Sequence, residues 1–166
     1  MPNHVDSDFY VTGNSENLSE FLDFARVGEN LIDANKFVPY PDKFLEMDKV
    51  AEIARNKEPP DYSVKNGFNS GGYEWRCKNW GTKWGIYDCE LVIESLVQKN
   101  GKLQYRFNTA WSPPLPLIKA MSDMFPGLIF KLCYFEAGMG FKGVYIAEGG
   151  EVIKNVESKY SGRRGG

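Results

Sequence analysis

Between Tyr87 and Trp111 the chain alternates apolar and polar residues twice, and no other feature constrains the fold as tightly. In Tyr87-Asp88-Cys89-Glu90-Leu91-Val92-Ile93-Glu94 the odd positions are apolar and acids hold three of the four even ones. Leu103, Tyr105, Phe107, Thr109 and Trp111 form a matching odd set, with Gln104, Arg106 and Asn108 between them. Period-two alternation puts one set on a covered sheet face and the other in water. A two-residue turn at Asn100-Gly101 would place core residues opposite surface ones. A three-residue loop, Lys99-Asn100-Gly101, keeps the faces matched, with Gly101 left-handed. That register sets Glu94 opposite Arg106 and Trp111 opposite Cys89.

The flanking stretches supply the other elements. Asp8 to Gly13 is a β-prone run, and Asn14 or Ser15 caps a helix with Leu18, Phe21, Leu22 and Ala25 on one stripe, stopped by Gly28. After the hairpin, Ser112 reads as an N-cap and Pro113 as the first helical position. The helix that follows buries Leu117, Ile118, Met121, Met124 and Phe125, and Pro126-Gly127 ends it. Ile129 to Phe135 and Phe141 to Ala147 are apolar strands, and Gly149-Gly150 turns into Glu151-Val152-Ile153. The order β-α-β-β-α-β predicts an α+β chain with the ferredoxin-like layout, an antiparallel sheet with two helices on one face, followed by an extra C-terminal ribbon.

Residues 36–72 break this order and read as an insertion. Proline holds Phe37-Val38-Pro39-Tyr40-Pro41 extended, and Glu46 to Asn56 makes a short helix with Met47, Val50, Ala51 and Ala54 on one side. Insertions of this length are a common seat of function. The expected organisation is one domain over residues 1–156, with a loose polar tail over 157–166.

The 166 residues suffice for one domain with a proper core. A hydrophobic content of 42% with 14% aromatics argues against global disorder. Lys plus Arg (20) nearly balances Asp plus Glu (22), for a net charge of −2, so bulk charge does not draw this protein to nucleic acid. Cys77, Cys89 and Cys133 lie far apart and His4 is the single imidazole, which fits neither a zinc site nor a disulfide framework. Met1-Pro2-Asn3-His4 lacks a signal pattern, and the apolar runs are too short for a membrane span. These features lead us to expect a cytosolic protein without metal or cofactor.

Three motifs follow one another: Asn79-Trp80-Gly81-Thr82-Lys83-Trp84, Thr109-Ala110-Trp111-Ser112-Pro113-Pro114 and Glu136-Ala137-Gly138-Met139-Gly140-Phe141. In that order they resemble a YubB-like family of small phage- and plasmid-encoded proteins with a ferredoxin-like domain. Met1-Pro2-Asn3 and Val11-Thr12-Gly13 resemble it too. The sequence departs at His4-Val5, where the resemblance implies an aromatic and a cysteine. What the resemblance implies is the fold and a mobile-element origin; it brings no catalytic mechanism with it.

Gly138-Met139-Gly140-Phe141-Lys142-Gly143 matches G-x-G-x-x-G, but a dinucleotide site needs a helix next, and Val144-Tyr145-Ile146 is a strand pattern. We therefore read a β-turn. Gly140 to Ile146 also echoes the aromatic strand of RNA-recognition domains, on the wrong strand, so its aromatics read as packed. The most suggestive group is Trp80, Lys83, Trp84 and Trp111, with Arg76 and Lys78 as further cations. Aromatic plates beside cations and a helix start suit a phosphate-bearing nucleotide; alternatively the tryptophans close one end of the core. Glu90 and Glu94 read as a solvated face, His4 as part of a mobile terminus, and Arg163-Arg164 as part of the loose tail.

The leading expectation is a non-enzymatic protein that acts by stoichiometric contact in the host cytosol, capturing a host protein through the insertion or an open sheet face. Host takeover or counter-defence follows from the resemblance alone. The alternative is a module that sequesters a small nucleotide signal, and single-stranded RNA ranks below both. A homo-oligomer is compatible with either reading.

Overall fold

A computed structural model describes residues 3–161. The chain runs β1 (His4–Gly13), α1 (Ser15–Ala25), α2 (Ala34–Phe37), α3 (Asp42–Arg55), a 3-10 turn (Phe68–Ser70) and α4 (Gly72–Asn79). It continues with β2 (Tyr87–Ser95), β3 (Gly101–Ala110), α5 (Leu115–Met124), β4 (Ile129–Glu136), β5 (Phe141–Glu148) and β6 (Glu151–Lys159). All six strands form one antiparallel sheet in the order β2-β3-β1-β4-β5-β6. β1 and β2 run parallel with β3 between them, and β3 and β4 run parallel with β1 between them. That is the split βαβ arrangement of the ferredoxin-like fold, with β5 and β6 extending the sheet.

One face of the sheet is covered because one residue set is apolar. Val5, Phe9 and Val11 of β1, Leu103 and Tyr105 of β3, and Phe130 and Leu132 of β4 are all fully buried. Leu18 and Phe21 of α1 and Leu117, Ile118 and Met121 of α5 close over them. Phe9 stacks on Phe130 at 6.1 Å, and Phe21 meets Phe130 edge-on at 5.5 Å. Asn14 caps α1 by accepting from the Asn17 N–H at 2.8 Å. Among the described residues no helix is long and apolar enough to cross a membrane.

Several local expectations need correction. β1 begins at His4 rather than Asp8, because Val5 and Ser7 continue its buried face and His4 pairs with Ala110, while the Tyr87 hydroxyl holds the imidazole. α1 stops at Ala25, before Gly28, because Val27 and Asn30 bridge and Gly28 (φ 58°) turns between them. α3 starts at Asp42, so Phe44, Ala51 and Ala54 form its inner side while Met47 and Val50 are exposed. Ser112 does not cap α5; the helix begins at Leu115 after Pro114. Met124 faces solvent. The polar tail does not begin at 157: Glu157, Ser158 and Lys159 pair with β5, and Tyr160 stacks on Phe135 at 5.4 Å. An edge strand is held by backbone hydrogen bonds, so polar side chains do not reveal it. Arg163-Arg164 lie outside the described residues.

The hairpin register also differs. Glu90, not Glu94, lies opposite Arg106, and Trp111 falls beyond the strand instead of opposite Cys89. β2 shifts register between Tyr87 and Glu90 and again between Leu91 and Ile93. Each bulge inserts an extra residue and breaks the parity that the alternation implies. Asp88 carries a positive φ of 49° at the first, and the second turns Ile93 outward. Arg106 bonds Asp8 at 3.2 Å and Glu90 at 3.0 Å, at exposed or half-exposed positions where solvent screens the charges.

Burial of this face shifts proton affinities. The Cys89 thiol is pushed up to about 12 by burial, with the Glu90 charge adding. The Tyr134 hydroxyl is pushed up to about 12 by burial and by Glu157 beside it, and burial raises Tyr105 as well. The folded chain holds these protons above the pH at which unfolded thiols and phenols release them, so the unfolded state is the first to lose them. Their contribution is therefore complete below about pH 8.5 and falls as pH rises toward about 12. Urea titrations across this range should show a midpoint that drops steadily, with a smaller drop in Cys89→Ala. A flat midpoint would contradict the burial.

Candidate functional site

The Asn79–Trp84 stretch leaves α4 and turns sharply back on itself. Trp80 and Gly81 both donate backbone N–H bonds to the Arg76 carbonyl, at 2.8 and 3.1 Å. Gly81 sits at φ 83°, and a Cβ there would meet Pro116 Cδ at 2.5 Å, so glycine alone fits this approach. The turn is then fastened to the junction between β3 and α5. The buried Thr82 hydroxyl donates to the Ala110 carbonyl at 2.8 Å, and the Ser112 hydroxyl donates to the Gly81 carbonyl at 2.6 Å. Within the junction Thr109 donates to the Ser112 carbonyl at 2.9 Å, and the Trp111 N–H donates to the Asn3 carbonyl at 3.0 Å. The Gly-Thr pair and Ser112 thus perform structural work, and Trp111 is held at φ 72°, a left-handed conformation rare for a bulky residue.

The six residues singled out in the sequence divide between the interior and the surface. Trp80 is 3% exposed, and its indole N–H donates to the Val38 carbonyl at 2.8 Å. It packs edge-on against Trp75 at 5.6 Å and beside Tyr40 at 5.8 Å. Trp80 is therefore not a ligand plate, because the insertion covers it with Val38 and Tyr40. The Arg76 guanidinium lies 4.2 Å from the Tyr40 ring and 5.3 Å from the Phe68 and Trp80 rings. Those cation–π contacts hold the charge within an aromatic box under the surface.

Lys83, Trp84 and Trp111 stay nearer to solvent. Lys83 Nζ lies 4.9 Å from the Trp84 ring and 6.0 Å from that of Phe68. Trp84 is half-buried against Tyr87 at 6.1 Å, and the Tyr87 hydroxyl bonds His4 Nδ1 at 2.8 Å. Trp111 is 42% exposed. Lys83 and Trp111 line a shallow depression of about 430 Å³ with Phe68, Asn69, Tyr73 and Glu74. Lys78, exposed in the last turn of α4, does not line it.

Reading the sequence missed Phe68, Asn69, Tyr73 and Glu74. Gly71-Gly72 reads as a turn, yet Tyr73, Arg76, Cys77 and Trp80 follow i, i+3, i+4, i+7 and signal the helix α4. That helix brings the end of the insertion against the tryptophan loop. Phe68 meets Tyr73 edge-on at 5.6 Å. The depression presents aromatic surface with one ammonium and one carboxylate, which suits a mixed apolar and charged contact. Among the described residues no group of three or more His, Cys, Asp or Glu side chains is placed to hold a metal ion. The Gly138–Gly143 motif forms a turn running into β5, with Gly140 left-handed at φ 76°.

The backbone at Trp111 generates a direct test. A non-glycine residue in the left-handed region costs about 1–2 kcal/mol, which glycine avoids. Trp111→Gly should therefore unfold at higher denaturant than Trp111→Ala, by about 1 kcal/mol, the reverse of the usual order. Equal stability, or a more stable alanine variant, would mean that the strain is absent.

Comparison with known proteins gives the fold a wider setting. Residues 83–163 match a family model described as the ferredoxin-like domain in Api92-like protein. The crystal structure of a protein api92 from Yersinia pseudotuberculosis aligns with a TM-score of 0.59 at 11% identity, covering 99% of this chain and 100% of that one. No curated protein matches the chain significantly. The matched stretch begins at Lys83 and takes in the hairpin, α5 and the last three strands, while β1, α1 and the insertion lie outside it. In its second half by sequence, and along nearly its whole length by fold, this chain is similar to Api92-like proteins.

Proposed function

We propose that this chain is a stoichiometric binding protein of a phage or related mobile element, which captures a host protein through the depression around Trp111. One observation carries the reading: the insertion and the tryptophan loop, distant in sequence, share a single surface there. Exposed Trp and Tyr side chains beside a charged pair have the chemistry of interface anchors. Trp111 (42% exposed) and Tyr73 (40% exposed) are such anchors, and the strained backbone at Trp111 holds its ring out. The mobile-element origin and a part in host takeover or counter-defence rest on the YubB-like motifs. The host cytosol suits three unpaired thiols. In this reading the protein acts by contact and turns nothing over.

The sequestering alternative loses one of its three plates, since Trp80 lies beneath Tyr40 and Val38. Immobilised protein exposed to host lysate should retain a partner that Lys78→Ala retains equally. Trp111→Ala and Tyr73→Ala, with unchanged secondary structure, should each weaken that partner by about 2 kcal/mol, roughly thirtyfold. A melting-temperature rise with a nucleotide, abolished by Lys83→Ala, would replace protein capture with sequestration; a ligand at a hundred times its dissociation constant adds about 2.7 kcal/mol.

A further inference from the structure

The sheet face away from the helices carries a second surface that the depression does not use. Strand pairing places Gln104, Tyr10, Lys131, Ile146 and Lys154 in one row across β3, β1, β4, β5 and β6. The adjoining row reads Lys102, Thr12, Ile129 and Glu148. Tyr10 lies between two ammonium groups, Lys102 Nζ at 4.8 Å from its ring and Lys131 Nζ at 5.8 Å. Its hydroxyl accepts from Gln104 at 3.4 Å. Tyr10, Thr12, Lys102 and Lys131, with apolar Ile129 and Ile146, line a depression of about 430 Å³. Thr12, Lys102 and Ile129 also line a second depression of about 360 Å³, which carries the trough over the end of the sheet to Lys99.

Charge along the trough is one-sided in a way that the whole-chain balance conceals. Among the described residues Lys102 and Lys131 form no ion pair, and Glu148 is the one carboxylate lining the trough. Arg106, one row away, is paired with two carboxylates, Asp8 and Glu90, so the positive charge is confined to the rows of Tyr10 and Thr12. Neighbouring strands are about 4.8 Å apart, so Lys131 and Lys154 stand roughly 10 Å apart across the sheet. A trough with Tyr10 as its aromatic plate, apolar Ile129 and Ile146 and cations in series fits a chain of planar rings joined by anions.

We propose that the open sheet face binds a short segment of single-stranded nucleic acid, with a base on Tyr10 and the backbone following Lys102, Lys131 and Lys154. Open sheets of this layout stack bases on exposed aromatics, and lysines tracking the backbone supply the electrostatic part. The site is separate from the Trp111 depression and stands or falls apart from it.

The test is fluorescence anisotropy with labelled oligouridine and oligothymidine of about eight nucleotides, between about 50 and 200 mM salt. The expected result is binding that Tyr10→Ala weakens about tenfold, while Tyr10→Phe and Trp111→Ala bind like the unaltered protein. Lys131→Gln should lower the slope of log affinity against log salt by about 0.7. Binding to either sugar supports the site, and the tighter of the two identifies the preferred strand. No binding at low salt, equal binding by a well-folded Tyr10→Ala, or a mononucleotide competing as strongly as the octamer would overturn the proposal.

Discussion

The structure depends on burying one face of β1. That strand is central, paired on both sides, and its Phe9 meets Tyr105 and Phe107 of β3 and Phe130 of β4. Phe9, Phe21, Tyr105, Phe107 and Phe130 are each at most 1% exposed, and close packing of rings leaves little freedom in how α1 and α5 lie on the sheet. Because those helices occupy one face, the other stays open. The lysine-bearing sheet face follows from this asymmetry.

The insertion solves a different problem, which is how to attach a largely polar, helical segment to a finished domain. Its solution is aromatic. Tyr40 stacks on Phe44 at 5.4 Å and Trp80 donates to Val38, so α4 and the segment before α3 share one small core. The Arg76 guanidinium fills the space among those rings in place of an apolar side chain. The Thr82 and Ser112 hydroxyls then tie this core to the β3–α5 junction, which positions Trp111 beside Lys83.

The two surfaces differ in physical character. The Trp111 depression is aromatic, nearly charge-neutral and built across an insertion, as protein contacts commonly are. The open sheet face sets Lys102 and Lys131, neither in an ion pair among the described residues, around Tyr10. A net charge of −2 averages over both and describes neither.

Alternation in the sequence determined which residues of β3 face the core, because the two-residue period is a property of the strand itself. Leu103, Tyr105, Phe107 and Thr109 are all buried as the pattern implies. The helical stripes of Leu18, Phe21 and Ala25 and of Leu117, Ile118 and Met121 were legible for the same local reason, and from them the ferredoxin-like order. Tertiary structure alone decided the register of β2: the connection joins Ser95 to Lys102 rather than spanning three residues, and a bulge between Leu91 and Ile93 moves Arg106 on to Glu90. It also decided that Trp80 is covered and Trp111 exposed: both are tryptophans in short motifs, but Val38 and Tyr40 happen to close over only one. The rows of the open face, Tyr10 beside Lys131 and near Lys102, exist only once strands distant in sequence are paired. Periodicity is set by neighbours along the chain, whereas register, bulges and cover depend on which distant segments pack together.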